Sequence, residues 1–332
     1  MAQVGVVGTT SWGTTLAVIL ARRGLDVRLW ARTEDEAADL RAQGQNSRFV
    51  PGVDFPPDLS VTSDKADAFS QADLVIVAVP SRSLRDNVRL IGDALTGTAV
   101  VVSATKGLES VSGMRMSQIL AEELSPGAHQ GICALSGPNL ATEIIQEKPS
   151  STVVASESID AAARAQSLIT SNLFRVYTNE DIVGVEFGGA LKNIIGLGAG
   201  ICDGLGFGDN AKAAFMTRGL AEITRLGVAG GANPLTFAGL AGMGDLIATC
   251  SSTLSRNHHV GEQLANGKTL EETRSSMANV AEGVDTTAAA VLLADRLDVD
   301  MPITRATYSV LFDGVDLERA ISQLLERAPT AE

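Results

Sequence analysis

Across the first 179 residues, short apolar runs, several of them valine-rich, alternate with longer stretches of helical period. The runs are Val4–Gly8, Val27–Ala31, Leu74–Val79, Ala99–Ser103, Ile132–Ser136 and Thr152–Ala155, with Phe174–Thr178 as one more. Between them lie Trp12–Arg23, Glu34–Gln43, Leu84–Leu95 and Met114–Leu124. A strand that is apolar throughout must be covered on both faces, and intervening helices supply the cover. The pattern predicts an α/β fold, a doubly wound parallel sheet. After about Asn179 the valine runs stop. Ile182–Cys202, Ala211–Ala229, Arg256–Leu264, Val284–Leu297, Ile303–Leu311 and Leu317–Leu325 all read as helices. Two domains are expected, residues 1–180 and an all-α 181–332, packed together with the active site in the cleft.

Composition narrows the function. Apolar residues are 45% of the 332, enough for filled cores. The formal charge is −13, which repels a phosphate backbone and argues against nucleic acid as a partner. A phosphorylated small molecule would need a local basic pocket. No apolar run in the sequence reaches the roughly 18 residues of a membrane helix. The first residues enter a strand without a basic leader, so a cytoplasmic protein is expected. Cys133, Cys202 and Cys250 are too far apart for a zinc site or a disulfide framework, and no metal is expected.

GTTSWG (residues 8–13) lies between the first strand and first helix. It matches the dinucleotide fingerprint Gly-x-Gly-x-x-Gly except that Thr10 takes the second glycine position. Gly8 allows the tight turn, Gly13 allows close helix packing, and the helix N-terminus aims its N–H groups at a pyrophosphate. Thr10 adds bulk where a cofactor would approach, and its hydroxyl can donate to a phosphate oxygen. Such sites usually carry an acidic residue after the second strand. Here Arg32 stands there, with Glu34 and Asp35 later, which favours NADP or adenine stacking over NAD.

GVEFGGALKNIIGLGAG places Gly184, Gly188, Lys192, Gly196 and Gly200 four apart, a row along one helix face. Each interior glycine costs about 1 kcal/mol against alanine, so something must approach the row closely. Two readings stay open. Another helix packs there with Lys192 reaching to water, or Lys192 faces a substrate in a desolvated slot that suits it to acid–base work.

Other polar clusters sit where ligands bind in such sheets. Lys106 lies just past a strand end in SATKG, and SGPN carries Gly137 and Asn139, the latter a candidate cap for the next helix. Asp245 follows a glycine turn as a cap or site residue. Ser255, Arg256 and Asn257 open a helix with a hydroxyl, free N–H groups and a guanidinium, a combination suited to phosphate. His258 and His259 are adjacent, poorly spaced for a metal, and expected at the surface.

In order and spacing, GTTSWGTTLA, NSRFVPG, VAVPS, ATKGLE, SGPNLATE, EFGGALKNIIGLGAG, TRGLAEITRLG, GLAGMGDLIATCSSTLSRN and MPIT resemble the bacterial-type NAD(P)-dependent glycerol-3-phosphate dehydrogenases, from residue 4 to about 325. The resemblance implies a Rossmann-type N-terminal domain and NAD or NADP as cofactor. It also implies interconversion of dihydroxyacetone phosphate and sn-glycerol 3-phosphate, the latter for phospholipid synthesis. Lys192 would be the catalytic acid–base. Lys106, Gly137, Asn139, Lys192, Asp245, Ser255, Arg256 and Asn257 would meet the substrate. Gly8, Ser11, Trp12, Gly13, Arg32, Phe49, Lys106, Ala141, Arg256, Val280 and Glu282 would line the cofactor, and a homodimer is implied. Thr10, Thr15 and Asn139 depart from the family pattern. The alternatives are a related β-hydroxy acid or ketopantoate reductase, which has less need of the Ser255–Asn257 clamp, and a nucleotide-binding sensor without turnover.

Overall fold

The computed structural model describes residues 1–277 and 280–328. Eight strands form one sheet. They are β1 (Gln3–Val7), β2 (Asp26–Trp30), β3 (Leu59–Thr62), β4 (Leu74–Val77), β5 (Val100–Ser103), β6 (Gly131–Ser136), β7 (Ser150–Ala155) and β8 (Phe174–Asn179), in spatial order β3-β2-β1-β4-β5-β6-β7-β8. Helices α1 (Ser11–Arg22), α2 (Glu34–Gln43), α3 (Lys65–Phe69), α4 (Leu84–Ile91), α5 (Met116–Glu123), α6 (Ala141–Ile145) and α7 (Ile159–Ile169) lie in the connections. The chain builds outward from β1 in one direction, then returns to β4 and builds in the other. The crevice beyond the ends of β1 and β4 is the switch point where such sheets bind ligands.

Strand alternation feeds two apolar layers. Val6, Ile76 and Val102 face one with Leu16 and Leu29, while Val75, Val77 and Val101 face the other with Phe69 and Ile119. The remaining helices are α8 (Ile182–Gly204), α9 (Gly208–Ala229), α10 (Asp245–Ser251), α11 (Arg256–Ala265), α12 (Leu270–Ser275), α13 (Glu282–Leu297), α14 (Pro302–Phe312) and α15 (Leu317–Leu325). They gather around Phe187, Leu191, Ile194, Ile195, Ile223 and Phe237.

Three features differ from the sequence reading. First, β7 runs antiparallel to β6, and β8 follows β7. The connection between β6 and β7 carries only the five-residue α6, and β7 pairs with its neighbour through Ala134–Ala155, Leu135–Val154 and Ser136–Val153. Second, β3 and α7 carry no strong pattern and were not expected. Third, α8 is long and apolar enough to cross a membrane, although 94% of its most apolar window is buried inside the protein. Its glycines and Lys192 lower its apparent hydrophobicity as a run.

Candidate active site

The glycine row of α8 is a packing surface. An added Cβ at Gly188 would lie 2.5 Å from the Ala241 carbonyl oxygen, at Gly196 2.8 Å from Thr249 Cγ2, and at Gly200 1.9 Å from the His258 carbonyl oxygen. The segment from 241 to 261 therefore reaches α8 because side chains are missing there. That approach brings α10 against Lys192. Other elements do pack on the row, and Lys192 does not extend to water; it is 7% exposed.

Lys192 Nζ donates to Asp245 Oδ1 at 2.8 Å and to Thr249 Oγ1 at 2.5 Å. Asp245 and Thr249 are one turn apart on α10, a spacing that marks Thr249 as a partner although the sequence reading passed over it. From the sheet, Lys106 Nζ donates to Asp245 Oδ2 at 2.7 Å and to the Gly137 carbonyl oxygen at 2.7 Å. Asp245 is 2% exposed and bridges the two lysines. It is the first residue of α10, with Gly244 at the cap position, so it is not a helix cap.

An ammonium carries three N–H donors. Each lysine commits two and keeps one. Two cations against one carboxylate leave a local positive charge within an acidic chain. Burial pushes the Lys106 pKa down to about 8, opposed by Asp245 and reinforced by the positive charges of Lys192 and Arg256.

Ser255 caps α11, its Oγ accepting from the His258 N–H at 3.3 Å. The N–H groups of Arg256 and Asn257 have no acceptor among the described residues. Arg256 Nη1 donates to the Val280 carbonyl oxygen at 2.8 Å. Asn257 is largely committed to structure. Its Nδ2 donates to Asn193 Oδ1 at 2.8 Å, and its Oδ1 accepts from the Gly283 N–H at 2.9 Å. Asn139 does not cap α6. It accepts from Thr152 Oγ1 at 2.9 Å, tying the turn after β6 to β7, while Ala141 opens α6 behind an uncapped Leu140. His258 is buried, its Nε2 2.6 Å from Asp203 Oδ2, contrary to the surface position expected from its doublet with His259. The close contact at Gly200 draws this turn of α11 inward.

The glycine turn has the expected shape. Gly8 has φ of 115°, and a Cβ at Gly13 would lie 2.0 Å from the Gly8 carbonyl oxygen. Thr10, however, is not free to donate to a phosphate. Its hydroxyl donates to the Ala78 carbonyl oxygen at 2.8 Å and accepts from the Gly13 N–H at 3.1 Å, capping α1. Asn46, overlooked in the sequence, is 3% exposed and donates to the Thr9 carbonyl oxygen at 2.9 Å and Thr14 Oγ1 at 2.8 Å. It also holds the segment bearing Phe49, whose ring lies 4.8 Å from the Arg48 guanidinium.

These residues fit a dinucleotide. The N–H groups of Ser11 and Trp12 lack acceptors among the described residues, and Trp12 Nε1 is buried without a partner. Arg32 is exposed at the end of β2. Glu282 crosses from α13 to accept from the Ser81 N–H at 3.1 Å and from the Ser81 hydroxyl. Burial raises its pKa, opposed by Ser81 and Arg256.

Two family models divide the chain between them. The NAD-dependent glycerol-3-phosphate dehydrogenase N-terminus matches residues 3–162, and the C-terminus of the same family matches 181–322. The chain belongs to this family. A glycerol-3-phosphate dehydrogenase (NAD(P)+) of Dehalococcoides mccartyi is 54% identical over 98% of the chain and 91% of its own length. That of Chlorobium limicola is 47% identical over 99% of both. The crystal structure of glycerol-3-phosphate dehydrogenase from Coxiella burnetii matches at TM-score 0.93 and 33% identity, covering 98% of this chain and 99% of that one. Membership makes the chain an NAD(P)-dependent oxidoreductase and displaces the ketopantoate-type and sensor alternatives. In this member of the family the lysine pair, the bridging aspartate and the capped α11 lie together where the sheet meets α8.

Proposed function

We propose that the chain interconverts dihydroxyacetone phosphate and sn-glycerol 3-phosphate, with Lys192 as the proton donor and acceptor. The observation that carries this is the Lys192–Asp245–Lys106 bridge, which leaves one N–H on each lysine for a substrate oxygen. NAD(P)H supplies hydride to the carbonyl carbon when bound. The developing alkoxide then meets Lys192, which gives it a proton, and Lys106 adds electrostatic stabilisation. Asp245 and Thr249 hold the Lys192 amine in one orientation. Ser255, Arg256 and the open N–H groups of α11 are suited to the phosphate, so binding energy is applied away from the reacting carbon. Gly8, Ser11, Trp12, Gly13, Arg32, Phe49, Ala141, Val280 and Glu282 are assigned to the cofactor side on their motif positions.

The sheet ends at Asn179 and α8 starts at Ile182, which supports a domain boundary near 180. A cytoplasmic homodimer supplying phospholipid synthesis is the accompanying expectation, and light scattering of the purified protein tests the dimer.

The test of the reaction is absorbance at 340 nm with dihydroxyacetone phosphate and either reduced cofactor. Lys192→Ala should lower turnover by roughly two or more decades. Turnover within a few-fold of the parent would reject the assignment.

A further inference from the structure

We propose that Glu36, held by Thr9, sets the cofactor preference by facing the adenosine ribose and disfavouring a 2′-phosphate. This rests on the reading of the glycine turn as a nicotinamide dinucleotide site. The first turn of α2 carries Glu34, Asp35 and Glu36. The side chain of Glu34 is drawn away, accepting from Ser63 Oγ at 2.6 Å and from the Arg41 guanidinium. Asp35 is exposed. Glu36 instead turns toward the site. Its Oε1 accepts from the hydroxyl of Thr9, inside the glycine turn, at 2.5 Å.

Thr9 is itself fixed, because its carbonyl oxygen accepts from buried Asn46 at 2.9 Å. The carboxylate is therefore held by one hydrogen bond to a residue that is itself anchored. Its Oε2 has no hydrogen-bond partner among the described residues. In sheets of this kind an acidic side chain about 20 residues past the turn takes the ribose hydroxyls, and a nearby arginine takes a 2′-phosphate. Here both are present. Glu36, 23 residues after Gly13, can accept from a ribose hydroxyl through Oε2. Arg32, exposed at the end of β2, attracts a 2′-phosphate. The two oppose each other for NADPH, and for NADH Glu36 adds a hydrogen bond.

Arg32 has no carboxylate within salt-bridge distance among the described residues, so Glu36 does not neutralise it directly. The carboxylate acts on the cofactor. At a partly exposed site, two like charges several ångströms apart oppose one another by about a decade in affinity.

Calorimetric titration of the whole protein with NADH and with NADPH tests this without turnover. Glu36→Gln keeps the size and removes the charge. The ratio of dissociation constants, NADPH over NADH, should fall by about ten-fold. Thr9→Val, which frees the carboxylate from the turn, should weaken NADH binding. A ratio in Glu36→Gln within two-fold of the parent, at an unchanged melting temperature, overturns the proposal while leaving the proposed reaction intact. Should the variant melt early, the ratio in Glu36→Asp decides, since a shorter carboxylate retracts from the ribose and should move it the same way. Failure of the parent to bind either nucleotide would overturn both this inference and the reading beneath it.

Discussion

Asp245 Oδ1 accepts from Lys192 Nζ at 2.8 Å although 53 residues separate them in the chain. Its other oxygen takes Lys106, so one carboxylate joins the helical half to the sheet. Asp245→Asn keeps the shape but sets amide N–H groups against a lysine. Breaking a buried pair of this kind costs about 3 kcal/mol or more. The variant should melt earlier and lose about two decades in kcat. A melting temperature and a kcat matching the parent would show that the bridge neither stabilises nor orients.

Lys106 should leave a signature in the pH profile. Its pKa falls from 10.5 to about 8 on burial. Below about pH 8 it is charged in both states, and the cost of burying that charge is fully present. Between pH 8 and 10.5 the unfolded chain binds the extra proton, so its contribution to stability improves as pH rises. Function moves the opposite way. The kcat/KM for dihydroxyacetone phosphate should fall as pH rises through about 8, when the developing alkoxide loses a cation. In Lys106→Arg, whose charge persists above pH 12, that limb should shift upward. A flat parent profile across this range contradicts the assignment.

Thr10 stands where a glycine is usual, yet removing it should not help. Thr10→Gly loses the cap on α1 and the bond to Ala78, about 1 kcal/mol together. Stability should drop, and NADH should bind no more tightly than to the parent. Tighter binding in titration would mean that the threonine crowds the cofactor.

Gly200 and Gly92 make a contrast. A Cβ at Gly200 would lie 1.9 Å from a backbone carbonyl of α11, whereas at Gly92 the nearest atom is 3.7 Å away and φ is −58°. Gly200→Ala should cost about 1–3 kcal/mol and raise the KM for dihydroxyacetone phosphate by displacing Arg256. Gly92→Ala should leave both unchanged. Equal melting temperatures for the two variants would refute the packing role of the row.

The sequence by itself determined much of the architecture. Valine runs separated by helical stretches required a covered sheet, and the four-residue glycine spacing in α8 required a close neighbour. Both are local statements about which faces must be buried, and periodicity records them directly. Ser255 as a cap was legible for the same reason. Tertiary structure decided the rest. The sense of β7 is a matter of strand pairing, antiparallel to β6 and parallel to β8, which an apolar run does not encode. The fates of Thr10, Asn139 and His258 depended on Ala78, Thr152 and Asp203, each reached across a fold that brings distant segments together. Asn46 left little trace because a single polar side chain has no period, and the one-turn spacing of Thr249 from Asp245 gains meaning only once α10 is known to face Lys192. A hydrogen bond over dozens of residues depends on three-dimensional packing, and its partners need have no regular spacing along the chain.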